Sequence, residues 1–208
     1  NDVFLMEAFM YRTHPQTFEI LELCKKYLKN ADVKILSSFG FNAPVDKSHR
    51  LRNLNLAGGA ILDVGCYPLS MARLIAGTLN DEKYLDPKSI EVKGILDTTG
   101  VDNKSSANLI FSDNISAYIE TSINEELQNN LIIKSDKVEI EVFEPWHCGQ
   151  FQEGKYSIEL NLEGKKTILS NKDEVGLFTR EINEASKCIL LGDSESSLMS
   201  HKDSLGNM

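Results

Sequence analysis

The sequence predicts an α+β domain, a large and mostly antiparallel sheet with two or three helices packed on one face. Two observations carry this prediction. Beyond Asn80 the chain alternates with period two: Ile115, Ala117 and Ile119 against Ser116, Tyr118 and Glu120, then Val138, Ile140 and Val142 against Glu139 and Glu141, then Ile158, Leu160 and Leu162 against Glu159 and Asn161. Such alternation gives each strand one apolar and one polar face, as antiparallel sheets require. On either side, apolar residues recur at helical spacing: Ile20, Leu21, Cys24, Tyr27 and Leu28 near the start, and Phe178, Ile182, Ala185 and Ile189 near the end.

In chain order, Val3 to Met10 is apolar apart from Glu7 and reads as a buried strand. Thr13 followed by Gln16 has the form of a capping box, and Pro15 suits a first helical turn. That helix ends near Asn30 and Asp32, and Val33 to Phe41 reads as the next strand. Residues 43–56 are polar and read as a surface loop, with Arg50 and Arg52 as solvated charges. Gly58 and Gly59 open an apolar helix running to Gly77. Pro68 lies inside it, removes the hydrogen bond to the Val64 carbonyl, and predicts a kink at a cost of ~3 kcal/mol. Ser112-Asp113-Asn114 and Glu163-Gly164 supply turns, the second leading into a strand at Lys165 to Leu169, and Gly192 stops the closing helix.

The 208 residues are 41% hydrophobic, enough for one well-buried core. A net charge of −9 argues against nucleic acid, whose phosphates need a basic face. No uninterrupted apolar run reaches the ~18–20 residues of a membrane span. The opening Asn1-Asp2-Val3 is neither a signal peptide nor an initiator methionine, and a cytoplasmic protein is expected. Cys24, Cys66, Cys148 and Cys188 form no C-x-x-C pair and read as reduced thiols packed as small hydrophobes. The four histidines show none of the spacings zinc sites use.

The segment Gly58-Gly59-Ala60-Ile61-Leu62-Asp63-Val64-Gly65-Cys66-Tyr67-Pro68-Leu69 draws the eye chemically. It sets a carboxylate and a phenol four residues apart in apolar surroundings. On a helix those positions share a face, so Asp63 and Tyr67 are expected to project toward one point. Buried polar groups are costly unless paired or used.

This segment, together with Glu7-Ala8-Phe9-Met10-Tyr11-Arg12-Thr13-His14-Pro15-Gln16, resembles the C-terminal domain of the glucose–fructose oxidoreductase, inositol dehydrogenase and MocA family. The branch it most resembles contains dihydrodiol and D-xylose dehydrogenases, with tyrosine where inositol dehydrogenase-like members carry histidine. The resemblance covers the whole chain, including the tail from Ser197 to Ser204. It implies a two-domain oxidoreductase: an N-terminal Rossmann domain binding NAD or NADP, and residues 1–208 as the substrate-binding and oligomerisation domain. The sequence has no G-x-G-x-x-G, and it lacks the family's Glu-Lys-Pro motif, whose lysine sits beside the reacting carbon. The chain is therefore expected to be the second half of a longer enzyme, inactive alone.

By that resemblance Tyr67 is the acid/base at the substrate hydroxyl, the alternative being a core tyrosine. A free phenol has a pKa near ~10 and needs a neighbouring cation to work near neutrality. Asp63 would orient Tyr67, a substrate hydroxyl or the absent lysine, or else cap structure or pair with Arg12 or Arg73. Arg12 is a candidate for a cofactor phosphate or substrate oxygen. His14 would bond substrate or cap the helix. Gly58 and Gly59 would admit substrate or cofactor, or form a plain helix-opening turn. Trp146 and His147 follow Pro145 in an expected loop, with a pocket rim or interface as the functional alternative. Three functions follow: a dehydrogenase acting on a sugar or polyol; an enzyme using tightly held NAD for sugar modification without net redox change; or a non-catalytic module forming a homodimer or higher oligomer through its open sheet face.

Overall fold

The structure is a computed structural model and describes residues 3–44 and 46–208. Eight strands form one mixed sheet: β1 (Val33–Gly40), β2 (Ser89–Leu96), β3 (Asp102–Ser112), β4 (Ile115–Ser122), β5 (Leu131–Lys134), β6 (Val138–Val142), β7 (Lys155–Leu162) and β8 (Lys165–Lys172). Their spatial order is β2-β3-β4-β1-β5-β6-β7-β8. Only β1 and β4, in register from Val33 beside Ile115 to Gly40 beside Ser122, run parallel; the other pairs are antiparallel. The β7–β8 hairpin turns at Glu163 (φ 50) and Gly164 (φ 88), two positive-φ residues as a primed turn needs.

Helices α1 (Pro15–Tyr27) and α2 (Cys66–Leu79) cover one face. The buried members of each alternating strand meet them: Val33, Ile35, Ala117, Leu109, Ile133, Ile140 and Ile158 share one core with Ile20, Cys24, Met71 and Ile75. The helical stretch Leu54–Leu79 meets the length and composition of a membrane span, but 61% of its most apolar window is buried inside the protein. Three cysteines are buried and Cys66 half-buried, all with free thiols.

Several expectations are corrected. Residues 3–9 form no strand; they lead into a 3₁₀ turn at Met10–Thr13, and Val3 and Leu5 are exposed because no described strand edge lies beside them. The cap of α1 is His14 rather than Thr13. His14 Nδ1 accepts the Gln16 N–H at 3.1 Å, while the Thr13 hydroxyl turns back to the Met10 carbonyl. The 43–56 segment, in which Val45 lies outside the described residues, contains two 3₁₀ turns, the first of which buries Leu51 and Arg52. Arg52 is thus no solvated charge: its guanidinium donates to the carbonyls of Ile123 (3.0 Å) and Pro44 (3.3 Å) and to Asp97 (3.3 Å).

The closing helix α3 (Leu177–Leu191) packs on the Met10–Thr13 turn, and a short α4 (His201–Asn207) follows. Asp203 ties α4 to the body. Its carboxylate accepts from Arg12 Nη2 and from the fully buried Arg73 Nη1, each at 2.6 Å.

Candidate functional site

The kink predicted at Pro68 takes the form of a π-helical turn, Ile61–Gly65, immediately upstream. The Cys66 N–H reaches the Ile61 carbonyl five residues back, and a proline two residues later can leave its acceptor unpaired. The opening of this helix is held from β3 and β4. Asp102 Oδ2 accepts the Ile61 N–H at 2.9 Å, and the Thr121 hydroxyl donates to the Ala60 carbonyl at 3.2 Å.

The glycine pair serves that junction. A Cβ on Gly59, whose φ is +125, would stand 2.2 Å from Asp102 Oδ1, and one on Gly58 would stand 2.7 Å from the Arg50 and Leu51 carbonyls. The chain's own atoms fill the space the glycines leave, which is the arrangement of a helix-opening turn.

Tyr67 emerges from this helix into a box of aromatic rings. Phe9 and Phe39 meet it edge-on at 5.1 and 5.3 Å, Tyr11 lies at 5.8 Å and Trp146 at 6.2 Å. Tyr11 donates its hydroxyl to the Tyr67 carbonyl at 3.2 Å. Buried Trp146 stacks on Phe39 and fixes its orientation by donating Nε1–H to the Ser38 carbonyl at 2.9 Å. Edge-to-face contacts of this kind add about 0.5–1.5 kcal/mol per pair and hold the rings in place. Among the described residues, the Tyr67 hydroxyl has no hydrogen-bond partner, although its ring is locked. Burial pushes its pKa up to about 12, with the negative charges of Asp63 and Glu181 adding in the same direction.

Asp63 and Tyr67 are not joined. The wider π turn breaks the i, i+4 register on which their alignment depends, and Asp63 instead accepts from Arg50 Nη1 at 2.7 Å. Its partner is thus neither Arg12 nor Arg73. Arg12 is buried, with Nη1 on Ser70 (3.0 Å) and Nη2 on the Leu198 carbonyl (2.9 Å) and Asp203, so its terminal nitrogens are committed within the chain. A cavity of about 450 Å³ between α1, α2 and the C-terminal segment is lined by Arg12, Phe18, Leu74, Tyr84 and Asp203; Tyr67 does not line it.

His14 is buried as well. With Nδ1 accepting, Nε2 carries the proton and faces Asp173 at 3.2 Å, while burial drives the His14 pKa down to about 4. Asp173 is held low, at about 2, chiefly by Arg180 of α3. Sequence reasoning did not include Phe39, and it named Trp146 only for a pocket rim or interface.

The model of the GFO/IDH/MocA C-terminal domain matches residues 33–142. A D-xylose 1-dehydrogenase (NADP(+)) of Haloferax volcanii is 38% identical over 120 residues, 58% of this chain and 34% of that protein. The trans-1,2-dihydrobenzene-1,2-diol dehydrogenase of Xenopus laevis is 31% identical over 98% of this chain, which spans 59% of that enzyme's length. Among solved structures, an aldose-aldose oxidoreductase of Caulobacter crescentus superposes with a TM-score of 0.78 at 20% identity, over 98% of this chain and 58% of that one. A 3-ketoreductase of Actinomadura kijaniata, solved with NADP, gives 0.77 at 18% identity over 99% and 60%. These two support the fold, and the sequence matches carry the kinship. The chain belongs to the GFO/IDH/MocA family, as its C-terminal domain.

Proposed function

We propose that this chain is the substrate-binding, tyrosine-bearing half of an NADP-dependent oxidoreductase acting on a hydroxyl or carbonyl of a sugar or related polyol. A dinucleotide-binding domain would precede it. The observation that carries the reading is Tyr67, a phenol whose ring is clamped by Phe9, Tyr11, Phe39 and Trp146 and whose hydroxyl is left without a partner. A rigid ring with an uncommitted proton suits a general acid or base, and the aromatic walls suit the C–H faces of a sugar or a cyclic diol.

Among the described residues, the glycine pair offers no cradle for dinucleotide phosphates, because the chain's own atoms fill it. The cofactor is therefore assigned to the preceding domain, where its nicotinamide would exchange hydride with the carbinol carbon. The work of this chain is the proton. With its pKa raised to about 12, Tyr67 is protonated near neutrality and can donate to a carbonyl oxygen being reduced. To accept a proton from a hydroxyl being oxidised it needs a cation beside it, which the preceding domain would supply. Asp63, anchored by Arg50, is the second polar group proposed at the substrate.

The sheet face left open by the helices is the proposed surface of a homodimer or higher oligomer. The relatives' names support the substrate class and NADP. The test is hydride transfer by the longer protein with NADP and a panel of aldoses, polyols and cyclic diols. NADPH formation with at least one of them is expected; no NADP binding and no turnover with any would overturn the reading.

A further inference from the structure

The two edges of the sheet are built differently. β8 ends one side and carries Lys165, Lys166 and Lys172, the kind of charge that keeps a further strand from adding. β2 ends the other side and is hydrogen-bonded only to β3, yet its Ile90, Val92, Ile95 and Leu96 are 57, 55, 60 and 68% exposed. All eight of its residues are exposed. Helix α2 packs on β1 and β4, and beside β2 it leaves an apolar cavity of about 120 Å³ lined by Leu69, Ile90, Val92, Ala107 and Leu109. A long, apolar and unguarded edge is a template for another strand.

The sequence of β2 selects that strand. Its only charges are Glu91 and Lys93, which flank Val92 on one face of the sheet. Turned about a two-fold axis at Val92, a second copy of β2 runs antiparallel to the first. Glu91 of each copy then faces Lys93 of the other, Ile90 faces Gly94, and Val92 meets its own counterpart. Opposite charges set directly across a strand pair are stabilising and like charges are not. A slip of two residues, which keeps the faces aligned, sets Glu91 against Glu91 or Lys93 against Lys93. The charges therefore favour one register. We infer that β2 pairs antiparallel with β2 of a second copy of this protein, about a two-fold axis at Val92, joining the two eight-stranded sheets edge to edge. This surface is the rim of the sheet rather than the open face proposed above, and the inference does not depend on that proposal.

Cross-linking of the longer protein tests it. Facing residues of an antiparallel pair have Cα atoms about 4.5–5.5 Å apart, within disulfide reach. Under mild oxidation Val92→Cys should give at least about 10-fold more covalent dimer than the parent. Adding Glu91→Lys should cut that yield by about 5-fold or more, and adding Lys93→Glu as well should restore it. All three side chains are exposed, and unchanged urea unfolding of the reduced variants reports an intact fold. No excess of dimer from Val92→Cys overturns the inference. Dimer undiminished by Glu91→Lys overturns the register and with it the axis at Val92. No dimer, with β2 amides still protected from hydrogen exchange at high dilution, assigns the edge to another part of the same protein and overturns it too. Hydride transfer with NADP on the same samples keeps the functional reading separate. Turnover without cross-linking sinks the edge pairing alone, and cross-linking without turnover sinks the functional reading alone.

Discussion

Asp102 accepts the Ile61 backbone N–H at 2.9 Å, so the helix that presents Tyr67 is started by a carboxylate from the first residue of β3. The contact exists only because residue 59 has no side chain, since a Cβ there would stand 2.2 Å from the other Asp102 oxygen. Sheet and site are thereby coupled through one capping bond.

Gly59→Ala should therefore destabilise the protein by about 2–4 kcal/mol, combining strain at φ +125 with expulsion of the cap. Urea unfolding measures it. A loss below about 0.5 kcal/mol would mean that Asp102 does not hold the helix opening.

Asp203→Ala should cost more. It leaves the guanidinium groups of Arg12 and Arg73 buried without the carboxylate they share, a defect of about 3–5 kcal/mol. Arg50→Ala, which breaks the exposed side of the pair with Asp63, should cost no more than about 1 kcal/mol. Equal losses in the two variants would contradict the burial argument.

Stability should fall on acidification through His14. Its folded pKa of about 4 lies below the unfolded value of 6.5, so the unfolded state takes up a proton first. The stabilisation is complete above 6.5 and drains away as pH falls from 6.5 toward 4, roughly 2–3 kcal/mol in all. Asp173, lowered from 3.8 to about 2, adds a further loss as pH falls from its ordinary value toward 2. Unfolding free energies at pH 7 and pH 4.5 should differ by about 2 kcal/mol more in the parent than in His14→Gln. Parallel pH profiles would show that His14 does not titrate this way.

Much of the sheet was legible in the sequence because β4, β6 and β7 each bury one face, and burial writes itself as alternation. β2 carries no such signal, since its residues are exposed on both faces. Apolarity misled at residues 3–10, where composition suits a strand but strand formation depends on a neighbour. The site was legible as a segment but not as a geometry. The structure does place Tyr67 on a helix opened by the glycine pair, while the i, i+4 alignment with Asp63 assumed a regular helix that the π turn removes. Arg52 looked solvated because its acceptors, the carbonyls of Pro44 and Ile123, are backbone groups that no residue identity announces. Trp146 reaches the site only through a contact more than a hundred residues away in sequence, with Ser38.

The most direct measurement is kcat/KM of the longer protein with its best substrate, with Tyr67 intact and as Tyr67→Phe. Phenylalanine keeps the ring that Phe9, Phe39 and Trp146 clamp and removes only the hydroxyl, so folding and NADP affinity should be unchanged while kcat falls by about 10²–10⁴. Turnover within a few-fold of the parent would contradict the assignment of the proton step to Tyr67.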